Sequence, residues 1–190
     1  FENVKAARLA RTKLYLTNQA AYFNQLIKEI VALEKRAAKL GLKPLVRLNG
    51  TSDIRWENIH FVYNNVTYRN IFELFPNIQF MDYTKIPNRI NSMNGISKFP
   101  ANYDLTFSYS GKPGFEKYNQ RAIDKGMRIA AVFDKVESIP LTFHKRKVLS
   151  GDDNDLTFTK PKNSILALYA KGFKKEIQLG LNSQFIIRGA

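Results

Sequence analysis

The sequence predicts an α/β fold: a mainly parallel, open or incomplete (β/α)-barrel-like sheet with an antiparallel C-terminal part. Three observations carry this expectation. Short apolar strands recur at residues 45–48, 78–83, 105–109 and 128–133, as expected for strands covered on both faces. Helical stretches lie between them. After residue 140 the texture changes to alternating segments separated by Gly151-Asp152-Asp153-Asn154-Asp155 and Lys160-Pro161-Lys162-Asn163, which reads as antiparallel or edge strands. One domain is expected over 1–190, with basic N-terminal helices in 1–43, βα units in 44–135 and antiparallel strands in 136–190.

The first helix, about 3–14, carries Lys5, Arg8, Arg11 and Lys13. The second, about 18–40, places Phe23, Leu26, Ile27, Ile30, Leu33 and Ala37 at helical spacing. Thr17 or Asn18 can cap its start, Gly41 can close it in a left-handed conformation, and Pro44 forbids continuation. Leu45-Val46-Arg47-Leu48 then forms a strand. Asn64-Asn65 predicts a small hairpin within FVYNNVTY. Residues 70–75 form a short helix stopped by Pro76, and 88–100 is rich in turns. Residues 115–125 suit a helix with Gly126 as its stop.

Hydrophobic residues make up 44% of the 190 and charged residues 24%, so the chain is globular rather than disordered. No apolar run approaches the roughly 18 residues needed to cross a bilayer, and no membrane partner is expected. The opening FENVKAARLARTKLYL lacks the continuous apolar segment and small-residue cleavage site of a secretory signal. It also lacks an initiator methionine, as a processed chain or a fragment would. Cysteine is absent, which excludes disulfides, zinc–cysteine sites and iron–sulfur ligation by this chain.

The net charge of +14 is uneven. Residues 1–47 hold ten basic and three acidic side chains, residues 144–175 hold eight and three, and residues 48–143 hold eleven and nine. Basic ends favour a polyanionic partner, most often nucleic acid. Lys5, Arg8, Arg11, Lys13, Lys145, Arg146 and Lys147 are the candidate phosphate contacts. A solvated basic surface is the competing reading.

The four central strands each run into polar residues: Arg47, Asn49, Ser52 and Asp53; Asp82, Tyr83, Thr84 and Lys85; Ser108, Ser110 and Lys112; Asp134 and Lys135. In parallel α/β sheets such ends share one edge, where ligands bind. Asp53, Asp82 and Asp134 are thus candidate bases or metal ligands. Arg47, Asn49, Ser52, Lys85, Ser108, Ser110 and Lys112 are candidate ligand contacts. Taken singly, any such end is only a turn.

Other motifs are weaker. Ser110-Gly111-Lys112-Pro113-Gly114 precedes a helix and offers backbone N–H groups to an anion, but lacks Walker spacing. SGDDND lacks the glycine and late glutamate of a calcium loop and reads as a hairpin turn. His60 and His144 have no metal-ligand spacing, and no metal site is expected. Ser52 and Ser108 lie in no nucleophile elbow. Tyr63, Tyr68, Tyr83, Tyr109 and Tyr118 lie among basic residues, where core packing competes with base stacking.

RLNGTSDIRWE, FPNIQFMDYTK, NYDLTFSYSG and SGDDNDLTFTKPKNSILALYAKG, in this order, resemble a phage and plasmid family, the gene-product-eighty-eight-like proteins, over residues 4–172. The resemblance implies a barrel that binds a metal or iron–sulfur cluster through a cysteine-rich segment upstream of the matched part. It also implies a bacterial, phage-infected cytoplasm, with the virion as the other location. With no cysteine, this chain is a cysteine-less or truncated member, and no cofactor is assigned to it.

The leading expectation is a phage-type accessory protein that binds nucleic acid or another polyanion through its basic ends. The alternatives are an enzyme or enzyme remnant with a strand-end pocket for a phosphorylated or nucleotide-like ligand, and a structural component docking on a phage or host protein.

Overall fold

The computed structural model describes residues 2–89, 92–93, 96–97 and 99–189. Part of the turn-rich stretch expected at 88–100 therefore lies outside the described residues. Contacts cluster into two units. The first comprises 1–46 and 55–80, the second 47–54 and 81–190.

The first unit opens with helices α1 (Glu2–Thr17) and α2 (Gln19–Lys39). The Asn18 side chain accepts from Ala21 N at 3.0 Å, satisfying one of the free N–H groups at the start of α2. At the other end Gly41 takes φ 65°. Gly41 N then donates to Ala38 O and Leu42 N to Ala37 O, at 3.2 and 2.9 Å, the two bonds of a Schellman stop. Helix α2 buries Phe23, Ile27, Ile30 and Ala37, the inner part of the face its spacing predicts. Phe23 stacks on Phe61, ring centroids 4.5 Å apart, and stands edge-on to Trp56. No residue of α1 is buried.

Strand β1 (Leu45–Val46) follows. Next comes the hairpin of β2 (Phe61–Tyr63) and β3 (Val66–Tyr68). Asn64 and Asn65 sit at φ 49° and 62°. Asparagine tolerates this left-handed pair, and the resulting two-residue turn matches the twist of the strands. Helix α3 (Ile71–Leu74) is capped by Asn70, whose side chain accepts from Glu73 N at 3.1 Å.

Strand β4 (Gln79–Thr84) begins in the first unit and ends in the second. The remaining elements are β5 (Ser92–Met93), β6 (Ile96–Ser97), β7 (Tyr103–Ser108), α4 (Glu116–Asp124), β8 (Arg128–Phe133), β9 (Thr142–Phe143), β10 (Arg146–Ser150), β11 (Ile165–Tyr169) and α5 (Lys174–Asn182). The main sheet has seven strands in the order β1-β4-β7-β8-β11-β10-β9. β5 with β6, and β2 with β3, form separate two-stranded sheets. The pairs β1–β4, β7–β8, β8–β11 and β10–β11 are parallel. The fold is thus α/β, with a mostly parallel, open main sheet that does not close into a barrel among the described residues.

The antiparallel C-terminal pair is β9–β10, turned by His144 and Lys145 at φ 49° and 60°. β11 differs from the edge or antiparallel strand expected from SILALYAKG. It lies between β8 and β10, parallel to both, and Ile165, Leu166 and Ala167 are all buried. Its apolar run is continuous, which suits a strand covered on two faces. SGDDND accordingly starts a crossover rather than a hairpin. Asp152 accepts from Tyr169 N at 3.0 Å and pairs with Lys171 at 2.7 Å, while Asp153 pairs with Lys160. Phe107, Ile129, Ala131, Phe133 and Ile165 form the floor of the second unit's core.

Candidate functional site

Residues 49–54 follow β1 and are folded around Asn49. Its buried side chain closes the loop on itself: Oδ1 accepts from Ser52 Oγ at 2.8 Å and Ile54 N at 3.0 Å, and Nδ2 donates to Ile54 O at 3.0 Å. Asn49 N in turn donates to Asp82 Oδ1 at 2.8 Å. Alternation along β4 puts Phe80, Asp82 and Thr84 on one face, so two polar side chains of that strand meet the loop.

The loop delivers Asp53 to the end of β4. Its carboxylate accepts from Thr84 Oγ1 at 2.8 Å, from Lys85 N at 2.7 Å and from Arg89 Nη1 at 2.8 Å. The Arg89 side chain is 0% exposed, against 28% for Asp53. Arg89 Nη2 donates to Ile54 O and to the Tyr103 hydroxyl, at 3.1 and 3.0 Å, and Tyr103 donates onward to Asp82 Oδ2 at 2.8 Å. Asp53 and Asp82 thus belong to one hydrogen-bonded relay through Arg89 and Tyr103. Burial pushes the Asp82 carboxyl up to about 6, against the opposing pull of Asn49 N–H, the Tyr103 hydroxyl, Arg47 and Arg89. Burial and the adjoining Asp82 raise Tyr103, which stays a neutral donor. Both acids have their oxygens committed to the relay, which positions the segment 84–89.

That segment aims Lys85 at the end of β7. Its Nζ donates to Ser108 O and Ser108 Oγ, both at 3.1 Å, and lies over the rings of Phe185 at 5.1 Å and Phe115 at 5.6 Å. Lys112 Nζ lies over the same Phe185 ring at 5.9 Å. Lys85 is half-buried, and among the described residues no carboxylate pairs with its ammonium. Burial first, then the neighbouring Lys112, lower its pKa, with Asp53 opposing. Ser110 is buried: its backbone carbonyl accepts from Asn119 Nδ2 at 2.7 Å, and its hydroxyl accepts from Lys112 N at 3.4 Å. It shapes the loop that presents Lys112. The structure therefore brings together Asn49, Ser52, Asp53, Asp82, Lys85, Ser108, Ser110 and Lys112. Two cations meet there over aromatic rings, an arrangement suited to holding an anion.

The other sequence candidates lie elsewhere. Arg47 is exposed and stacks over Tyr83 at 4.8 Å. Asp134 ends β8 and caps a turn, accepting from Ser138 Oγ, Lys135 N and Gly189 N; the Ser138 bond holds its carboxyl below the usual range. Arg146 donates to Ile123 O and Met127 O at the end of α4, so its guanidinium is engaged inside the fold. Lys145 and Lys147 flank it on the surface. Lys5, Arg8, Arg11 and Lys13 are exposed along α1, Arg11 reaching Glu29 at 3.5 Å.

Sequence reading missed Arg89, Tyr103 and Phe185. Arg89 lies in a stretch with turn residues and no periodicity, and Tyr103 stands just before the strand expected at 105–109, with no motif to mark it. Among the described residues no group of three or more His, Asp or Glu is arranged to hold a metal ion. The chain supplies no thiolate, so its donors do not fit an iron–sulfur cluster. No helix among the described residues is long and apolar enough to cross a membrane.

Comparison with known proteins gives one family. A family model described as Gene product 88 matches residues 1–189. No curated protein and no solved structure matches the chain.

Proposed function

The chain belongs to the Gene product 88 family, whose description names no activity, and from the site itself we propose that it binds a phosphate-bearing ligand at the ends of β4 and β7. One observation carries this reading: the half-buried Lys85 ammonium, held on Ser108 beside Lys112, has no carboxylate partner among the described residues. Holding a cation partly out of water costs free energy that a bound anion would offset. The Asp53 and Arg89 relay serves as the scaffold that fixes Lys85, and Lys112 adds the second charge. Calorimetric titration with inorganic pyrophosphate at low salt tests it. Lys85→Met is expected to weaken binding about 10-fold or more, the worth of one charge-assisted contact. Equal affinity of Lys85→Met and the parent chain would sink the reading.

A second reading rests on α1. This 16-residue helix buries none of its residues while carrying Lys5, Arg8 and Lys13, which make no ion pair among the described residues. Such a helix suits a nucleic acid or another polyanion. DNA binding through it should weaken steeply with salt, because each neutralised phosphate releases counterions. Replacing Lys5, Arg8 and Lys13 by alanine should flatten that slope by roughly 3. An unchanged slope would remove this reading.

A further inference from the structure

Beside the two lysines lies a cleft of about 580 Å³, a volume in the range of small-molecule sites. Its lining and the cation pair draw on neighbouring residues of two wall segments, 108–112 and 184–185. Tyr109 and Gly111 line the cleft, while Ser108 and Lys112, their chain neighbours, face the cation pair. Gln184 lines the cleft, and the next residue, Phe185, lies under both ammonium groups. The two walls are held in close contact. A Cβ on Gly111 would stand 2.5 Å from Gln184 O, so only glycine lets these segments approach this closely. The C-terminal wall is pinned to β8 by Ile187 N donating to Val132 O and Asp134 N donating to Ile187 O, at 2.8 and 3.0 Å.

The lining is aromatic and apolar, with a polar rim. Tyr109 stands edge-on to Phe143 at 5.3 Å, and Phe143 edge-on to Phe133 at 5.6 Å, so the Tyr109 ring is braced from the core. His144 Nε2 lies 3.2 Å from the Tyr109 hydroxyl. Burial and the nearby Arg146 lower the imidazole pKa, leaving it neutral at pH 7 with one donor and one acceptor nitrogen. Asn182 and Arg188 also line the cleft. Asn182 Oδ1 accepts from Gln178, which leaves its amide N–H₂ for another partner, and Arg188 makes no ion pair among the described residues. An aromatic and apolar lining that also carries side-chain donors suits a planar heterocycle, whose faces stack on rings and whose edge takes hydrogen bonds.

We infer that the cleft formed by Tyr109, Phe143, His144 and Arg188 takes a nucleobase, so that the phosphate-bearing ligand is a nucleotide. This rests on the phosphate reading of Lys85 and Lys112, and on the segments 108–112 and 184–185 supplying neighbouring residues to the cleft and to the cation pair.

The test is calorimetry with the four ribonucleoside 5′-monophosphates and with ribose 5-phosphate, on the parent chain and three variants. At least one nucleotide is expected to bind 10-fold or more tighter than ribose 5-phosphate. Arg188→Ala and His144→Asn should erase most of that advantage and leave ribose 5-phosphate binding unchanged. Both positions are exposed, and asparagine keeps the left-handed turn at 144, so neither variant threatens the fold. Lys85→Met should weaken both ligands alike. If no nucleotide outbinds ribose 5-phosphate, or if Arg188→Ala and His144→Asn keep the full advantage, the cleft inference fails while the phosphate site stands. If ribose 5-phosphate fails to bind the parent chain, or binds Lys85→Met equally well, the phosphate reading itself fails.

Discussion

Asp82 illustrates how much a single residue does here. Its carboxylate carries no exposed oxygen to a ligand; it receives Asn49 N–H and the Tyr103 hydroxyl from two sides. Burial raises its pKa from the ordinary 3.8 to about 6, so the folded chain binds a proton that the unfolded chain has released between those values. Stability from this group is full below pH 3.8 and declines as pH rises through about 6, by about 3 kcal/mol. Asp82→Asn removes the titration. Relative to the parent chain, its stability should therefore rise by about that amount between pH 4 and pH 7, measured by urea unfolding at both. A difference that does not change with pH would show that Asp82 titrates normally. Asp53 and Asp82 were legible in the sequence as acids at strand ends, and the structure joins them. Their role was not legible, because it depends on Arg89 and Tyr103, which approach from a turn-rich stretch and from the start of another strand. No spacing rule connects such positions.

Among elements, those governed by local chemistry were read well. Asn18 and Gly41 bound α2 as capping rules require, and Asn64-Asn65 makes the hairpin. Those decided by long-range neighbours were not. β11 was expected as an antiparallel or edge strand, because a five-residue apolar run does not reveal which strands flank it. The segment 184–187 carries no signal for lying against β8, yet it supplies Phe185 and one wall of the cleft. Gly111 is where that wall meets the 108–112 loop. Gly111→Val should cost about 1–3 kcal/mol, because the side chain collides with the Gln184 carbonyl and one segment must shift. The same variant should lose nucleotide affinity more than ribose 5-phosphate affinity. Thermal unfolding unchanged from the parent chain would mean that the two segments are not closely apposed.

At the scale of the molecule, the two units are built differently. The first holds an aromatic core of Phe23, Trp56 and Phe61 and presents the unburied basic helix α1. The second holds most of the parallel sheet and gathers its polar strand ends around Lys85. The sequence's charge pattern pointed to the ends of the chain. In the structure Lys5, Arg8, Arg11, Lys13, Lys145 and Lys147 stay on the surface and Arg146 is engaged inside the fold, while the phosphate proposal rests on Lys85 in the nearly balanced middle, half-buried without a carboxylate partner among the described residues. The measurement that tests this most directly is backbone amide chemical-shift mapping of the intact chain titrated with inorganic pyrophosphate. The account predicts saturable shifts concentrated at residues 84–86 and 108–112. Shifts confined to α1, with those two segments unmoved at saturation, would contradict it.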